Sequence, residues 1–141
     1  MIAYLDSSAA LRKILNQQNQ IVELKKIDRA VASKLLKAES FRALDRLRLL
    51  GSLNEVEFVK TSEELYQFLD LVELVEISDS ILDRVGGSFS IGLGTLDAIH
   101  LSSALLWREK TGLQLSFFTH DEALGRAARS LGFSVFGCTE T

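Results

Sequence analysis

Short apolar runs alternate along the chain with longer stretches in which apolar residues recur every three or four positions. The short runs are typical of buried strands, and the longer periodic stretches are typical of amphipathic helices. Strands are predicted at residues 1–5, 30–33, 72–77, 115–119 and 133–136. Helices are predicted from Ser7 or Ser8 to about Asn16, at 21–27, 34–50 and 54–71, from 78 or 79 to 85, at 95–110 with Thr95 as the cap, and at 121–131.

Strands that alternate with helices of this length indicate a parallel sheet covered by helices on both faces. The predicted fold class is therefore α/β, a three-layer α/β/α sandwich. The chain of 141 residues has no proline, and its glycines are sparse except in GGSFSIGLG at 86–94, so we expect a single domain over residues 1–141. In such sheets, ligands bind beyond the carboxyl ends of the strands.

Composition narrows the class of protein. A formal charge of -3 gives no global attraction to nucleic acid, so RNA binding would need a local basic patch. One cysteine, Cys138, and two histidines form neither an internal disulfide nor a Cys/His zinc site, which favours a reducing cytoplasm. No basic N-terminal segment precedes an apolar core, and no apolar run approaches the roughly 20 residues that cross a bilayer, so we expect no membrane association.

Two acidic residues follow predicted strands. Asp6 comes directly after the strand at 1–5, and Asp121 comes after the strand at 115–119 and His120. The carboxyl ends of parallel strands meet at one edge of the sheet, so both carboxylates are expected there. An unpaired charge at the end of a buried strand is costly or shifts its pKa, so a partner is expected opposite Asp6.

A third acid, Asp97, falls in the first turn of the helix predicted at 95–110. A carboxylate at this position suits the positive end of the helix dipole. Its neighbours Leu96, Ala98 and Ile99 are apolar and are predicted to be buried. Asp97 is therefore expected next to buried structure.

The fourth acid, Glu39, lies about one and a half turns into the helix predicted at 34–50. On a helical wheel, Leu35, Ala43 and Leu50 fall within about 40° of Glu39. This carboxylate is therefore predicted to point along a mainly apolar helix face.

Each acid taken alone also has an ordinary structural explanation. Asp6 and Asp121 fit helix caps, Asp97 fits a dipole partner, and Glu39 fits an ion pair with an arginine of its own helix. Together, the four carboxylates would repel one another unless a cation were present. Oxygen ligands without a Cys/His cluster favour Mg²⁺ or Mn²⁺, and such an ion leaves positions open for a phosphate oxygen and an attacking water.

Four motifs resemble, in the same order, the acidic motifs of PIN-domain ribonucleases, and most closely those of the VapC-type toxins of bacterial and archaeal toxin-antitoxin modules. They are YLDSSA from residue 4, AESFR from residue 38, TLDAIHLSSAL from residue 95 and FFTHDEAL from residue 117. The third motif followed by the fourth is the most specific part. The resemblance spans nearly the whole chain.

This resemblance implies a parallel sheet of strand order 3-2-1-4-5 and the Mg²⁺- or Mn²⁺-dependent hydrolysis of RNA, leaving a 5′-phosphate and a 3′-hydroxyl. It implies a homodimer and an antitoxin that inserts a segment near the acidic groove. It leaves open which acid binds metal and which steers water, and which RNA is cleaved. Carried over by position, the metal-binding acids are Asp6, Glu39, Asp97 and Asp121, and the supporting polar residues are Ser7, Ser8 or Thr119.

Several other residues have two interpretations. Arg42 and Arg46 lie within about 60° of Glu39 on its helix, and they either bind RNA phosphate or pair with the acids. His100 and His120 are either structural or catalytic. The segment at 86–94 either gates the acidic edge or only connects two helices.

A cluster of apolar residues in and between the helices at 34–50 and 54–71 fits either a partner or dimer groove or ordinary core packing. Its members are Leu47, Leu49, Leu50, Leu53, Phe58, Leu65 and Phe68.

Two alternative functions stay open. One is a non-catalytic PIN-like module that binds RNA or protein. The other is a phosphohydrolase of the haloacid dehalogenase type, which also carries an aspartate after its first strand. That family has a second aspartate two residues later, where this chain has Ser8.

Overall fold

A computed structural model describes residues 1–139 of the protein. Within these residues, strands and α-helices alternate along the chain, and a 3₁₀ helix spans Val22–Lys26. The strands are β1 (Ile2–Leu5), β2 (Arg29–Ser33), β3 (Val72–Val75), β4 (Ser116–Phe118) and β5 (Ser134–Phe136). The α-helices are α1 (Ser7–Ile14), α2 (Leu35–Leu49), α3 (Glu55–Asp70), α4 (Asp79–Val85), α5 (Thr95–Thr111) and α6 (Glu122–Ser130).

The strands form one parallel sheet in the order β3-β2-β1-β4-β5, which confirms the predicted topology. β1 is the central strand, and its Tyr4 is in register with Val31 of β2 and Phe117 of β4. All five carboxyl ends therefore lie at one edge of the sheet. The residue that follows β1 lies at the middle of this edge.

Helices cover both faces of the sheet, so the three-layer sandwich is confirmed. Between the sheet and α5 and α6, the core is built around Tyr4, Phe117 and Leu101. On the opposite face, Leu36 and Leu44 of α2 pack with Leu65 of α3. No helix within residues 1–139 has the length and apolarity needed to cross a membrane.

Two predicted helix caps are wrong. Asp6, rather than Ser7 or Ser8, is the N-cap of α1, because its backbone is extended and its carboxylate accepts a hydrogen bond from the amide of Ala9. Gly94, rather than Thr95, precedes α5, and it makes no side-chain cap. The segment predicted as a helix at 21–27 forms only the 3₁₀ helix.

The segment at 86–94 connects α4 to α5 and packs along the domain. The hydroxyl groups of Ser90 and Ser130 lie 2.9 Å apart, which ties the middle of the segment to the far end of α6. The segment therefore runs along the molecule and reaches the acidic edge only at Gly94, where α5 begins. Three of its side chains pack against the core, namely Phe89, Ile91 and Leu93.

The apolar cluster predicted around α2 and α3 divides into two parts. Leu65 is buried, and Leu53, Phe58 and Phe68 pack against the core, as expected for residues inside the domain. At the end of α2, Leu49 and Leu50 are 71% and 73% exposed.

Candidate active site

Asp6 is buried at the carboxyl end of β1, with only 4% of its surface exposed. Its Oδ1 accepts hydrogen bonds from the Ala9 amide at 3.0 Å and the Ser8 hydroxyl at 2.7 Å. Its Oδ2 accepts a hydrogen bond from the Thr119 hydroxyl at 2.5 Å. Burial raises the pKa of Asp6 above its ordinary value, and these hydrogen bonds oppose the rise.

Thr119 joins the end of β4 to the start of α6. Its hydroxyl donates to Asp6 and accepts a hydrogen bond from the Asp121 amide at 3.0 Å. Asp121 is the N-cap of α6, and its Oδ1 accepts from the amide of Leu124. The Ser8 hydroxyl also accepts a hydrogen bond from the His120 amide at 3.0 Å. Hydrogen bonds through Thr119 and Ser8 thus connect Asp6 to the backbone that carries Asp121.

Glu39 lies at the edge of the buried face of α2. The buried residues of this helix are Leu36, Ser40 and Leu44. Of the apolar residues predicted beside Glu39, Leu35 and Ala43 are half-buried and Leu50 is exposed, and the Glu39 side chain itself is 23% exposed. The Ser7 hydroxyl donates to Glu39 Oε1 at 2.9 Å.

His100, on the first turns of α5, supplies a second contact to Glu39. Its Nε2 lies 2.6 Å from Glu39 Oε1, and its Nδ1 lies 2.8 Å from the hydroxyl oxygen of Tyr4. Sequence analysis missed Tyr4, which resembles any other core residue of β1. The available signal was its hydroxyl, because a buried tyrosine usually has a hydrogen-bond partner.

Asp97 occupies the third position of α5 and is partly buried. Its pKa is raised, first by burial and then by the negative charges of Asp121, Asp6 and Glu39, while His100 opposes the rise. The raised pKa thus indicates that Asp97 lies in the negative field of the other three acids. No hydrogen bond or ion pair within residues 1–139 involves the carboxylate of Asp97.

The donor chemistry of this edge fits a hard divalent cation. The negative charges of the other three acids raise the pKa of Asp97, and a cation would remove this repulsion. Within the described part of the chain, no three Asp, Glu, His or Cys side chains converge tightly enough to form a preassembled ion site. The side chains thus fit a metal by charge and oxygen donors, and a bound ion would require them to move closer together.

Arg42 and Arg46 line a cavity of about 440 Å³ together with Ser7, Ser8 and Glu39. The alternative in which Arg42 pairs with the acids of the site is wrong, since its guanidinium lies 3.6 Å from Asp45 and is 78% exposed.

Leu96 lines the same cavity and is 51% exposed, so its predicted burial is also wrong. Its neighbours Ala98 and Ile99 are buried, as expected. The difference arises because Leu96 lies in the first turn of α5, where its side chain faces the open cavity between α1 and α2.

The PIN domain family model matches residues 3–130. This chain belongs to the PIN-domain family. The PIN domain is 31% identical over 137 residues to Ribonuclease VapC46 of Mycobacterium tuberculosis (strain ATCC 25618 / H37Rv), a match that covers 94% of each protein. The motif resemblance is thereby confirmed, and the haloacid dehalogenase alternative loses its basis.

Two solved structures are similar in fold to this PIN domain. One is VapBC2 from Rickettsia felis bound to a DNA fragment from their promoter, with a TM-score of 0.66, 14% identity, and coverage of 96% of this chain and 97% of that chain. The other is PAE2754 from Pyrobaculum aerophilum, with a TM-score of 0.64, 19% identity, and coverage of 96% and 89%. At these identities, the comparison shows the shared fold.

Proposed function

We propose that this PIN domain is a metal-dependent endoribonuclease that hydrolyses RNA phosphodiester bonds, and that it is the toxin of a toxin-antitoxin pair. The observation that carries the proposal is the bonded arrangement at the carboxyl edge of the sheet, where Thr119 contacts both the Asp6 carboxylate and the Asp121 amide, and Ser7, next to Asp6, donates to Glu39. Similarity to Ribonuclease VapC46 supports the same reaction class.

The proposed metal ligands are the four acids, with Mg²⁺ or Mn²⁺ as the ion. Hydroxyl, amide and imidazole groups orient Asp6 and Glu39 Oε1, whereas Glu39 Oε2 and the Asp97 carboxylate have no hydrogen bond within residues 1–139 and are available to a ligand. When bound, such an ion polarises a phosphoryl oxygen and lowers the pKa of a coordinated water. The hydroxyl of Thr119 links Asp6 to Asp121, because it donates to the Asp6 carboxylate and accepts from the Asp121 amide.

The proposed path for the RNA backbone is the cavity beside Glu39. Arg42 and Arg46 place two cationic side chains on its wall, although the chain as a whole carries a charge of -3. A local basic patch of this kind attracts phosphate without requiring a basic protein.

The proposed protein partners are a second copy of the chain and an antitoxin. The exposed Leu49 and Leu50 at the end of α2 offer apolar surface to such a partner. The Rickettsia felis structure of the same fold is named VapBC2.

The direct test is cleavage of total cellular RNA by the purified protein, freed of any co-purifying partner, with Mg²⁺, Mn²⁺ or EDTA. We expect discrete products with 5′-phosphates that require metal and are lost in Asp6→Asn and Asp97→Asn. Asp83→Asn, an exposed acid of α4, is the matched control and should cleave normally. A folded wild-type protein that binds Mn²⁺ and RNA but cleaves no RNA pool would instead support the non-catalytic module.

The RNA path has its own test. Arg42→Gln and Arg46→Gln should raise KM with little change in kcat, and each should lower the salt dependence of RNA binding by about 0.7 in log-log slope. Arg126→Gln on α6 is the control, because Arg126 is exposed and makes no ion pair within residues 1–139. An unchanged KM and slope in both cavity variants would place the RNA elsewhere.

A further inference from the structure

A buried chain of hydrogen-bonding side chains leads from the middle of the sheet to the acidic edge. Tyr4 of β1 is 0% exposed and His100 of α5 is 1% exposed. The Tyr4 hydroxyl lies 2.8 Å from His100 Nδ1, and His100 Nε2 lies 2.6 Å from Glu39 Oε1. Three separate elements, β1, α5 and α2, are therefore joined by side chains.

The partners of Tyr4 define the direction of these hydrogen bonds. The tyrosine oxygen accepts a hydrogen bond from the Ser33 amide at 3.1 Å, so its own proton is free to point to His100 Nδ1. With Nδ1 as the acceptor from Tyr4, the imidazole proton is on Nε2, which donates it to Glu39.

The result at Glu39 is an asymmetric carboxylate. Ser7 of α1 and His100 of α5 both donate to Oε1. Within residues 1–139, Oε2 receives no hydrogen bond. A flexible glutamate side chain is thereby fixed by one oxygen, and the other oxygen is left for a ligand.

We propose that His100 is a positioning residue that holds the Glu39 carboxylate for the metal-dependent reaction, with Tyr4 selecting the imidazole tautomer that donates to Glu39. The inference rests on the proposed function, because it deepens the role given there to Glu39. Partners that orient metal ligands typically change metal affinity or activity by about 10–100-fold when they are replaced.

The test compares Mn²⁺ affinity, measured by calorimetry, with kcat and KM for RNA cleavage in a set of matched variants. His100→Leu removes both hydrogen bonds, whereas His100→Gln retains an amide N–H able to reach Glu39. Tyr4→Phe removes only the hydroxyl. Ser102→Ala, on the same helix, is the control, because Ser102 is buried and its hydroxyl has no partner within residues 1–139.

We expect His100→Leu to weaken Mn²⁺ binding and lower kcat by about 10–100-fold. Tyr4→Phe should show a smaller loss, His100→Gln should recover most of both quantities, and Ser102→Ala should match the wild type. In a Glu39→Gln background, His100→Leu should cause no additional loss, because the group it positions is already gone.

Two results would overturn the proposal in different ways. If Glu39→Gln loses Mn²⁺ affinity and cleavage while His100→Leu and Tyr4→Phe behave like Ser102→Ala, the acidic site is retained and the positioning role is refuted. If Glu39→Gln keeps both quantities, Glu39 is not a ligand, and its role in the proposed function fails as well. If His100→Leu does not fold, the comparison of Tyr4→Phe with Ser102→Ala in Mn²⁺ affinity and kcat tests the proposal in the same way.

Discussion

Replacing Thr119 with valine tests whether one hydroxyl organises the acidic edge. Thr119 is 0% exposed, and its hydroxyl donates to Asp6 and accepts from the Asp121 amide. Valine keeps the shape of threonine but removes both hydrogen bonds. The expected loss of stability therefore measures the two hydrogen bonds rather than a change in packing.

The magnitude follows from the two lost contacts. A hydrogen bond to a charged group contributes about 1.5–3 kcal/mol, and a buried amide left without an acceptor costs about 1–3 kcal/mol. The Asp121 amide is only part-buried, so we expect Thr119→Val to lower the free energy of unfolding by about 3 kcal/mol and Tm by about 10 °C. Thr119→Ser keeps the hydroxyl and loses one methyl group, which costs about 1 kcal/mol.

The pH dependence has a defined sign. Burial raises the folded pKa of Asp6, and the hydrogen bond from Thr119 lowers it. Without that bond, the folded pKa of Asp6 rises further above its unfolded value of about 3.9. An acid with a raised folded pKa loses stability as pH rises through that value, so the cost of Thr119→Val grows between about pH 4 and pH 7.

The measurement is urea denaturation of wild type, Thr119→Val and Thr119→Ser in EDTA at both pH values. Metal is excluded so that unfolding reports the protein alone. Equal stability of the valine and serine variants at pH 7, or a larger valine defect at the acidic pH, would refute the role of the hydroxyl.

Three further predictions concern the pH dependence, packing and thiol chemistry of the same region. Because the folded pKa of Asp97 is raised, Asp97→Asn in EDTA should gain stability relative to wild type from about pH 4 to pH 7; thermal unfolding that shows the opposite trend contradicts this. Gly137→Ala should lower the free energy of unfolding, measured by urea denaturation, by more than about 3 kcal/mol, because Gly137 has φ +102 and a Cβ would lie 2.3 Å from the Thr119 carbonyl oxygen. Gly92→Ala is the control and should be tolerated, because a Cβ at Gly92 would meet nothing within 4 Å. Burial raises the pKa of Cys138 to about 11, so iodoacetamide at pH 7.5 should alkylate the native thiol roughly 100-fold more slowly than the urea-unfolded one, and equal rates contradict this.

The fold was predictable because its main determinants are local. Each strand is a short apolar run, and each long helix has its own periodicity, so their alternation indicates a parallel sheet. The position of Asp6 followed from the same pattern, because a carboxylate directly after a central strand must lie at the carboxyl edge. The cap of α1 was harder to place, since Asp6, Ser7 and Ser8 all have capping side chains and only the backbone conformation selects Asp6.

The contacts behind the site depend on tertiary structure. Tyr4 and His100 are 96 residues apart, and they meet because α5 packs on the face of β1 to which Tyr4 points. No local pattern contains that packing. The packing of the segment at 86–94 also depends on tertiary structure, since its glycines suggest mobility while its apolar side chains lie against the core.

The way the carboxylates are held favours a cation at this edge. Within residues 1–139, no lysine or arginine pairs with any of the four acids, and ion pairs such as Arg29 with Glu73 and Arg84 with Glu109 lie elsewhere. Hydroxyl, amide and imidazole donors instead orient Asp6 and Glu39. The hydroxyl and amide donors fix the direction of the Asp6 carboxylate without cancelling its charge, so repulsion among the acids at this edge lowers the stability of the metal-free protein. A divalent ion bound as proposed would remove that cost, which a purely structural cluster would keep.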